Sequence, residues 1–247
     1  MRKLPIWALA ALLPGAASAA DVTVSAAASL TNAFRELAQA FEAVHPGDKV
    51  LLNFAASDPL VQQIAKGAPV DVLASADQDA MDKAEALKLL TRGTRRDFVA
   101  NTVVLVVPAA SAFKPATLAD LDAPAVQRLT TGNPASVPIG RYAKDALTKA
   151  AVWPRLEPKF VYGASVRQSL DYVARGEVDA GFVYATDVMA QKDKVRAVLT
   201  VPTAFPVRYP IAVLAGAPQP ALARSFVRYT LSPAGQAILG KYGFVRP

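Results

Sequence analysis

Five places in the chain carry hydrogen-bond donors that could hold an anion without any charged side chain. Ser29 follows a β-prone run, Val22–Val24, and a string of small residues, Ala26-Ala27-Ala28. Apolar residues then recur at Leu30, Phe34, Leu37 and Phe41, which is one face of an α-helix. A serine there offers a hydroxyl and free backbone N–H groups at the positive end of a helix dipole, a setting that suits an oxyanion. Taken alone, Ser29 would be an ordinary helix cap. The pattern recurs, however, in Phe54-Ala55-Ala56-Ser57-Asp58-Pro59, again a β-run, small residues, a serine and a helix start. The Gly/Pro-rich loop Gly132–Gly140 runs into a helix bearing Tyr142 and Leu147 and exposes the N–H groups of Ile139 and Gly140. Gly163-Ala164-Ser165 caps a further helix and leaves the Val166 N–H free to donate, and the strand Gly181–Tyr184 ends in a phenol that can donate as well.

Catalytic and metal chemistry find little support. The single histidine, His45, stands beside Pro46-Gly47 at a helix end, where a surface position is expected, and the chain has no cysteine. No Gly-x-Ser-x-Gly elbow and no zinc-type cluster occurs. Asp71, Asp77 and Asp79 lack the glycine and terminal glutamate of an EF-hand loop and read as a strand end and a helix start. A ferric-ion site would favour tyrosine pairs, and Tyr184 has no adjacent tyrosine. Lys and Arg number 27 against 20 Asp and Glu, a mild positive field that favours a small anion. The basic residues are dispersed, with only Arg92, Arg95 and Arg96 clustered, and no nucleic-acid motif is present. A binding protein is expected, not an enzyme, with no cofactor and no nucleic-acid partner.

The elements that must position these donors alternate between β-like and α-like. Arg2 and Lys3, the apolar run Leu4–Leu13 and Ala17-Ser18-Ala19 form a secretory signal peptide over 1–20, cleaved near Ala19 or Ala20. An exported, periplasmic protein of about 227 residues without disulfides is expected. Strands are expected at Val22–Ser25, Val50–Phe54 and Val70–Leu73, with helices at Leu30–Val44, Pro59–Lys66 and Gln78–Leu87. Thr102–Val107 opens a second set, which includes Leu129–Thr131, Phe160–Tyr162, Ala180–Tyr184 and Val195–Val201 and the helices Tyr142–Ala151 and Val166–Arg175. Without a flexible linker, the chain is expected to build lobe I from 21–101 plus 211–247 and lobe II from 102–210. Strand crossings near Ala100–Thr102 and Tyr209–Ala212 would form a hinge. The fold class is α/β, each lobe a mostly parallel sheet flanked by helices, with ligand groups at the carboxyl ends of strands.

Over essentially its whole mature length the chain resembles the periplasmic molybdate-binding proteins of ABC importers, which have the type II periplasmic-binding-protein fold. The resemblance is carried by Ala26–Asn32, Phe54–Ser57, Gly67–Asp71, Ser75–Gln78, Val137-Pro138-x-Gly140-x-Tyr142-Ala143-Lys144, Val166-Arg167, Val183-Tyr184, Tyr209–Val213 and Lys241–Phe244. It implies that molybdate, and tungstate with it, is held by neutral donors. These are the hydroxyl and N–H of Ser29 and Ser57, the N–H of Ile139, the N–H of Val166 and the Tyr184 hydroxyl. It also implies a monomer that delivers its anion to a membrane permease.

Two positions depart from the family's habit. Ile139 stands where a small residue is common, which preserves the backbone donor. Asp58 stands where a second serine is common, and is expected to face solvent or the amino end of the helix at Pro59, where a carboxylate is favourable. Molybdate, tungstate and sulfate are fully deprotonated near neutral pH, so a site of donors alone suits them. Phosphate retains a proton and needs an acceptor. Sulfate or another tetrahedral oxyanion is the alternative ligand.

Overall fold

A computed structural model describes residues 20–247. The expected signal peptide, apart from Ala20, lies outside the described residues. The strands are β1 Asp21–Ala27, β2 Lys49–Ala55, β3 Val72–Ala74, β4 Arg96–Asn101, β5 Val103–Pro108, β6 Leu129–Gly132, β7 Phe160–Gly163, β8 Ala180–Tyr184, β9 Val195–Thr200 and β10 Val207–Val213. The helices are α1 Thr31–Val44, α2 Ser57–Ala65, α3 Gln78–Ala86, α4 Pro138–Lys149, α5 Trp153–Leu156, α6 Val166–Ala174, α7 Ala185–Ala190, α8 Pro220–Leu231 and α9 Pro233–Lys241.

They form two five-stranded sheets of matching design, ordered β2-β1-β3-β10-β4 and β7-β6-β8-β5-β9. In each sheet four strands point one way and one runs against them, β10 in the first and β5 in the second. These two reversed strands each follow a crossing between lobes. The outward crossing is the single residue Thr102 between β4 and β5. The return lies between Thr200 and Val207, earlier than the expected Tyr209–Ala212, because Val207 already pairs with Asn101 of the first sheet. Val207, Arg208 and Tyr209 complete the β4 ladder, which binds them to the first lobe.

Side-chain alternation along each strand feeds a helical layer on each sheet face. In the first lobe Val72 and Ala74 face the main core while Leu73 faces a smaller cluster with Leu60, Ile64 and Met81 from α2 and α3. On the main-core face α1 buries Phe34, Leu37 and Phe41, the apolar stripe that its spacing dictates. Phe34 meets Phe98 and Phe226 edge-on, at 5.9 and 6.1 Å between ring centroids. Each fully buried aromatic or leucine there stabilises the fold by about 1.5–3 kcal/mol.

Strand register sets the positions of the donors. Ala27 at the end of β1 lies beside Ala55 at the end of β2, so Ser29 and Ser57, two residues beyond each, emerge side by side. In the second lobe Gly132 and Gly163 pair in the same way at the ends of β6 and β7. The chain then enters α4 and α6 from one edge of that sheet.

Candidate functional site

All five expected residues line one small cavity between the lobes. Ser29 and Ser57 come from the first lobe, Ile139, Val166 and Tyr184 from the second, and Ala27, Ala28, Ala56, Ala76, Val137 and Pro138 complete the wall. No lining residue carries a charge. The cavity volume is about 10 Å³, close to the space that one water molecule needs. Pockets for larger organic ligands measure about 300–1,000 Å³, so an organic ligand of that size does not fit it.

Each backbone donor occupies the first turn of a helix, where no earlier helical carbonyl can accept it. Ser57 is the first residue of α2, and Val166 the first of α6, where Ser165 caps the helix by accepting the Gln168 N–H at 3.3 Å. Ile139 is the second residue of α4, after Pro138. That turn needs glycine at its next position: a Cβ on Gly140 would stand 2.0 Å from the Gly132 carbonyl oxygen. The close approach presses the start of α4 onto the end of β6. Ile139 lines the cavity, and its side chain is fully buried. Ser29 lies in a short 3-10 turn, Ala28–Leu30, that leads into α1. Four positive helix ends therefore converge on one point.

The hydroxyl groups are prepared as donors. Ser57 Oγ accepts the Ala76 N–H at 3.0 Å, which leaves its own proton for the cavity. Ser29 Oγ lies 3.0 Å from Tyr209 Oη. Tyr184 Oη is buried and has no protein partner. Burial, reinforced by the neighbouring Tyr209, pushes the Tyr184 phenol well above the usual tyrosine range, so it keeps its proton. A buried phenol without an acceptor is costly, by about 1–3 kcal/mol. An acceptor in the cavity removes that cost.

The charged groups lie outside the cavity and clasp the lobes together. Asp58 is buried, not solvent-facing as one expectation allowed. It stands in the first turn of α2, ion-paired with Lys83 and, at 2.7 Å, with Arg141 of α4. Arg141 Nε also donates to Asp77 Oδ2 at 2.9 Å, and Asp77 caps α3 through the Ala80 N–H at 3.1 Å. The Asp58 carboxylate is thereby neutralised and does not line the cavity. Arg167 bridges the lobes too, donating to Asn32 Oδ1 at 3.0 Å and to the Ser29 carbonyl at 3.3 Å. Its Nε forms an ion pair with the buried Asp187 Oδ1 at 2.8 Å, within the second lobe.

The other acidic candidates have structural positions. Asp71 accepts the N–H groups of Thr23 at 2.8 Å and Gln219 at 2.6 Å, tying β1 to the start of α8. No cluster of three metal-ligating side chains occurs among the described residues. His45 ends α1, with its ring stacked on Phe41 at 4.0 Å between centroids. Sequence reasoning missed the supporting ring of Tyr209, Asn101, Arg141 and the Ala76 N–H. Tyr209 stood within a family-like run, but only the sheet pairing brings it to Ser29. Nothing in the spacing connects Arg141 with Asp58 and Asp77.

Two lobes joined by two strand crossings, with helix starts converging on a cavity between them, define a solute-binding protein of the periplasmic-binding-protein fold. The chain belongs to the bacterial extracellular solute-binding protein family, which it matches over residues 22–245. It is 35% identical over 252 residues to the molybdate-binding protein ModA of Haemophilus influenzae, with 99% of each chain covered. The molybdate-binding protein ModA of Escherichia coli is 39% identical over 230 residues, covering 90% of this chain and 88% of that one. Among solved structures, the periplasmic molybdate-binding protein of Azotobacter vinelandii superposes with a TM-score of 0.80 at 22% identity. The match covers 92% of this chain and 99% of that one.

Proposed function

We propose that this protein captures molybdate in the interlobe cavity and delivers it to the membrane permease of an ABC importer. Tungstate, a tetrahedral dianion of nearly equal size, binds in the same way. The anion is held by the hydroxyl and N–H groups of Ser29 and Ser57, the N–H groups of Ile139 and Val166, and the Tyr184 hydroxyl. The protein acts as a periplasmic monomer, without catalysis and without a cofactor.

The observation that carries this reading is the Tyr184 hydroxyl, buried and unpartnered in a cavity whose lining holds donors and no charged group. A ligand that only accepts hydrogen bonds satisfies every one of them, and a fully deprotonated oxyanion is such a ligand. The relatives support molybdate as that oxyanion, since two of more than 30% identity are molybdate-binding proteins. Calorimetric titration of the mature protein with molybdate, tungstate, sulfate and phosphate in one buffer tests it. Molybdate and tungstate bind with submicromolar Kd, and sulfate and phosphate bind far more weakly. Equal binding of sulfate would reassign the protein to sulfate.

A further inference from the structure

The Tyr209 hydroxyl is fully buried and stands between two polar side chains, Asn101 Nδ2 at 3.3 Å and Ser29 Oγ at 3.0 Å. The Asn101 amide has one orientation, because its Oδ1 accepts the Thr102 N–H at 2.9 Å. Its Nδ2 therefore faces Tyr209 and, at 2.9 Å, Thr186 Oγ1. An amide nitrogen donates and does not accept. The Tyr209 oxygen thus accepts a hydrogen bond from Asn101 Nδ2, and its own proton has Ser29 Oγ as acceptor. Reversing the Ser29 bond would strand a buried phenol proton. With Tyr209 donating to it, Ser29 has its own proton left for the cavity.

The geometry points to a proton-orientation lock. Tyr209, held by Asn101 at the hinge, is a positioning residue that makes Ser29 an obligate donor and so discriminates against oxyanions that carry a hydrogen. Ser57 on the same wall is locked by the Ala76 backbone N–H, which no side-chain substitution removes. Tyr209 is the lock that a substitution can undo. The arrangement is tied to the relation between lobes, since Asn101 ends β4 of the first lobe and Thr186 lies on α7 of the second. Freed from Tyr209, the Ser29 hydroxyl can rotate and accept the hydrogen of a protonated oxyanion.

This inference rests on the reading of the cavity as an oxyanion site, and its test separates the two. Molybdate and phosphate are titrated near neutral pH into the wild-type protein, Tyr209→Phe, Ser29→Ala and the double variant. The molybdate-to-phosphate affinity ratio falls about tenfold or more in Tyr209→Phe, the scale of one reoriented charge-assisted hydrogen bond. It falls likewise in Ser29→Ala, and adding Tyr209→Phe to Ser29→Ala changes it no further. An equal loss for both anions in Tyr209→Phe, or an undiminished ratio change from Tyr209→Phe when Ser29 is already alanine, overturns the lock. A wild-type protein that takes sulfate and not molybdate contradicts the ligand reading alone, and the lock is then read from the sulfate-to-phosphate ratio. Binding of none of these anions contradicts both.

Discussion

Arg141 of the second lobe donates from Nη2 to Asp58 Oδ2 of the first at 2.7 Å, and through Nε to Asp77 Oδ2 at 2.9 Å. One guanidinium thus joins two buried carboxylates across the two lobes. Burial raises the Asp77 carboxyl above its usual range, against the opposing pull of Arg141. In this arrangement of the lobes the two carboxylates have left water.

Removing that guanidinium burdens the closed form specifically. Truncating one partner of a buried ion pair costs about 3–5 kcal/mol, and separation of the lobes lets water relieve it. Arg141→Ala accordingly weakens molybdate binding tenfold or more, although Arg141 does not line the cavity. Titration calorimetry reads the affinity, and small-angle scattering reads a more open particle. Unchanged affinity would mean that the clasp does not contribute to closure.

Ser57→Ala removes one hydroxyl donor and leaves the backbone N–H in place. Loss of a charge-assisted bond of about 1.5–3 kcal/mol weakens binding roughly ten- to hundredfold. Contacts in a closed cavity are screened less than surface charges, so wild-type affinity in about 0.5 M sodium chloride stays within a few-fold of its low-salt value. Salt abolishing binding while Ser57→Ala left it intact would place the anion on a basic surface.

The phenols set the alkaline limit of binding. Burial raises Tyr184 and Tyr209 well above the ordinary tyrosine value of about 10. A raised pKa in an acid means that the protonated, donating form persists to higher pH. Molybdate affinity, corrected for any unfolding, therefore stays flat as the pH passes the ordinary tyrosine value. A loss of affinity centred there would show that one of these phenols ionises normally.

The sequence made some of this legible and withheld the rest for physical reasons. The strand–serine–helix motifs at Ser29 and Ser57 are local, and parallel register alone brings them side by side. Ile139, Val166 and Tyr184 were found by the same local chemistry, and the structure gathers them at the same cavity. Strand β4, Arg96–Asn101, is not legible in the sequence because polar residues at its ends hide a core contributed by Phe98 and Val99. The return crossing precedes Val207, and the sequence does not mark it because Val207–Tyr209 is as β-prone as the rest of β10. Asp58 was legible as a first-turn carboxylate, whereas its partner Arg141 lies 83 residues away. Arg167 stands in the sequence only as the second residue of α6, and its reach to Asn32 and the Ser29 carbonyl belongs to tertiary structure.

His45 separates the binding account from an enzymatic one. Its ring stacks on Phe41 and its Nδ1 lies 3.0 Å from the Phe41 carbonyl, at the opposite end of α1 from Ser29. His45→Ala leaves anion affinity unchanged and lowers stability by about 0.5–1.5 kcal/mol, the scale of an aromatic pair. Thermal unfolding with and without molybdate measures both. Loss of binding would revive a functional histidine.

In the proposed function, neutral donors from both lobes hold a tetrahedral oxyanion in the interlobe cavity. Anomalous scattering at the molybdenum edge, from crystals of the mature protein grown with molybdate, tests it most directly. One strong peak is expected in the cavity, its oxygens within hydrogen-bond distance of Ser29, Ser57, Ile139, Val166 and Tyr184. A peak seated on Arg141, Arg167 or a surface lysine, with the cavity lacking molybdenum, would contradict it.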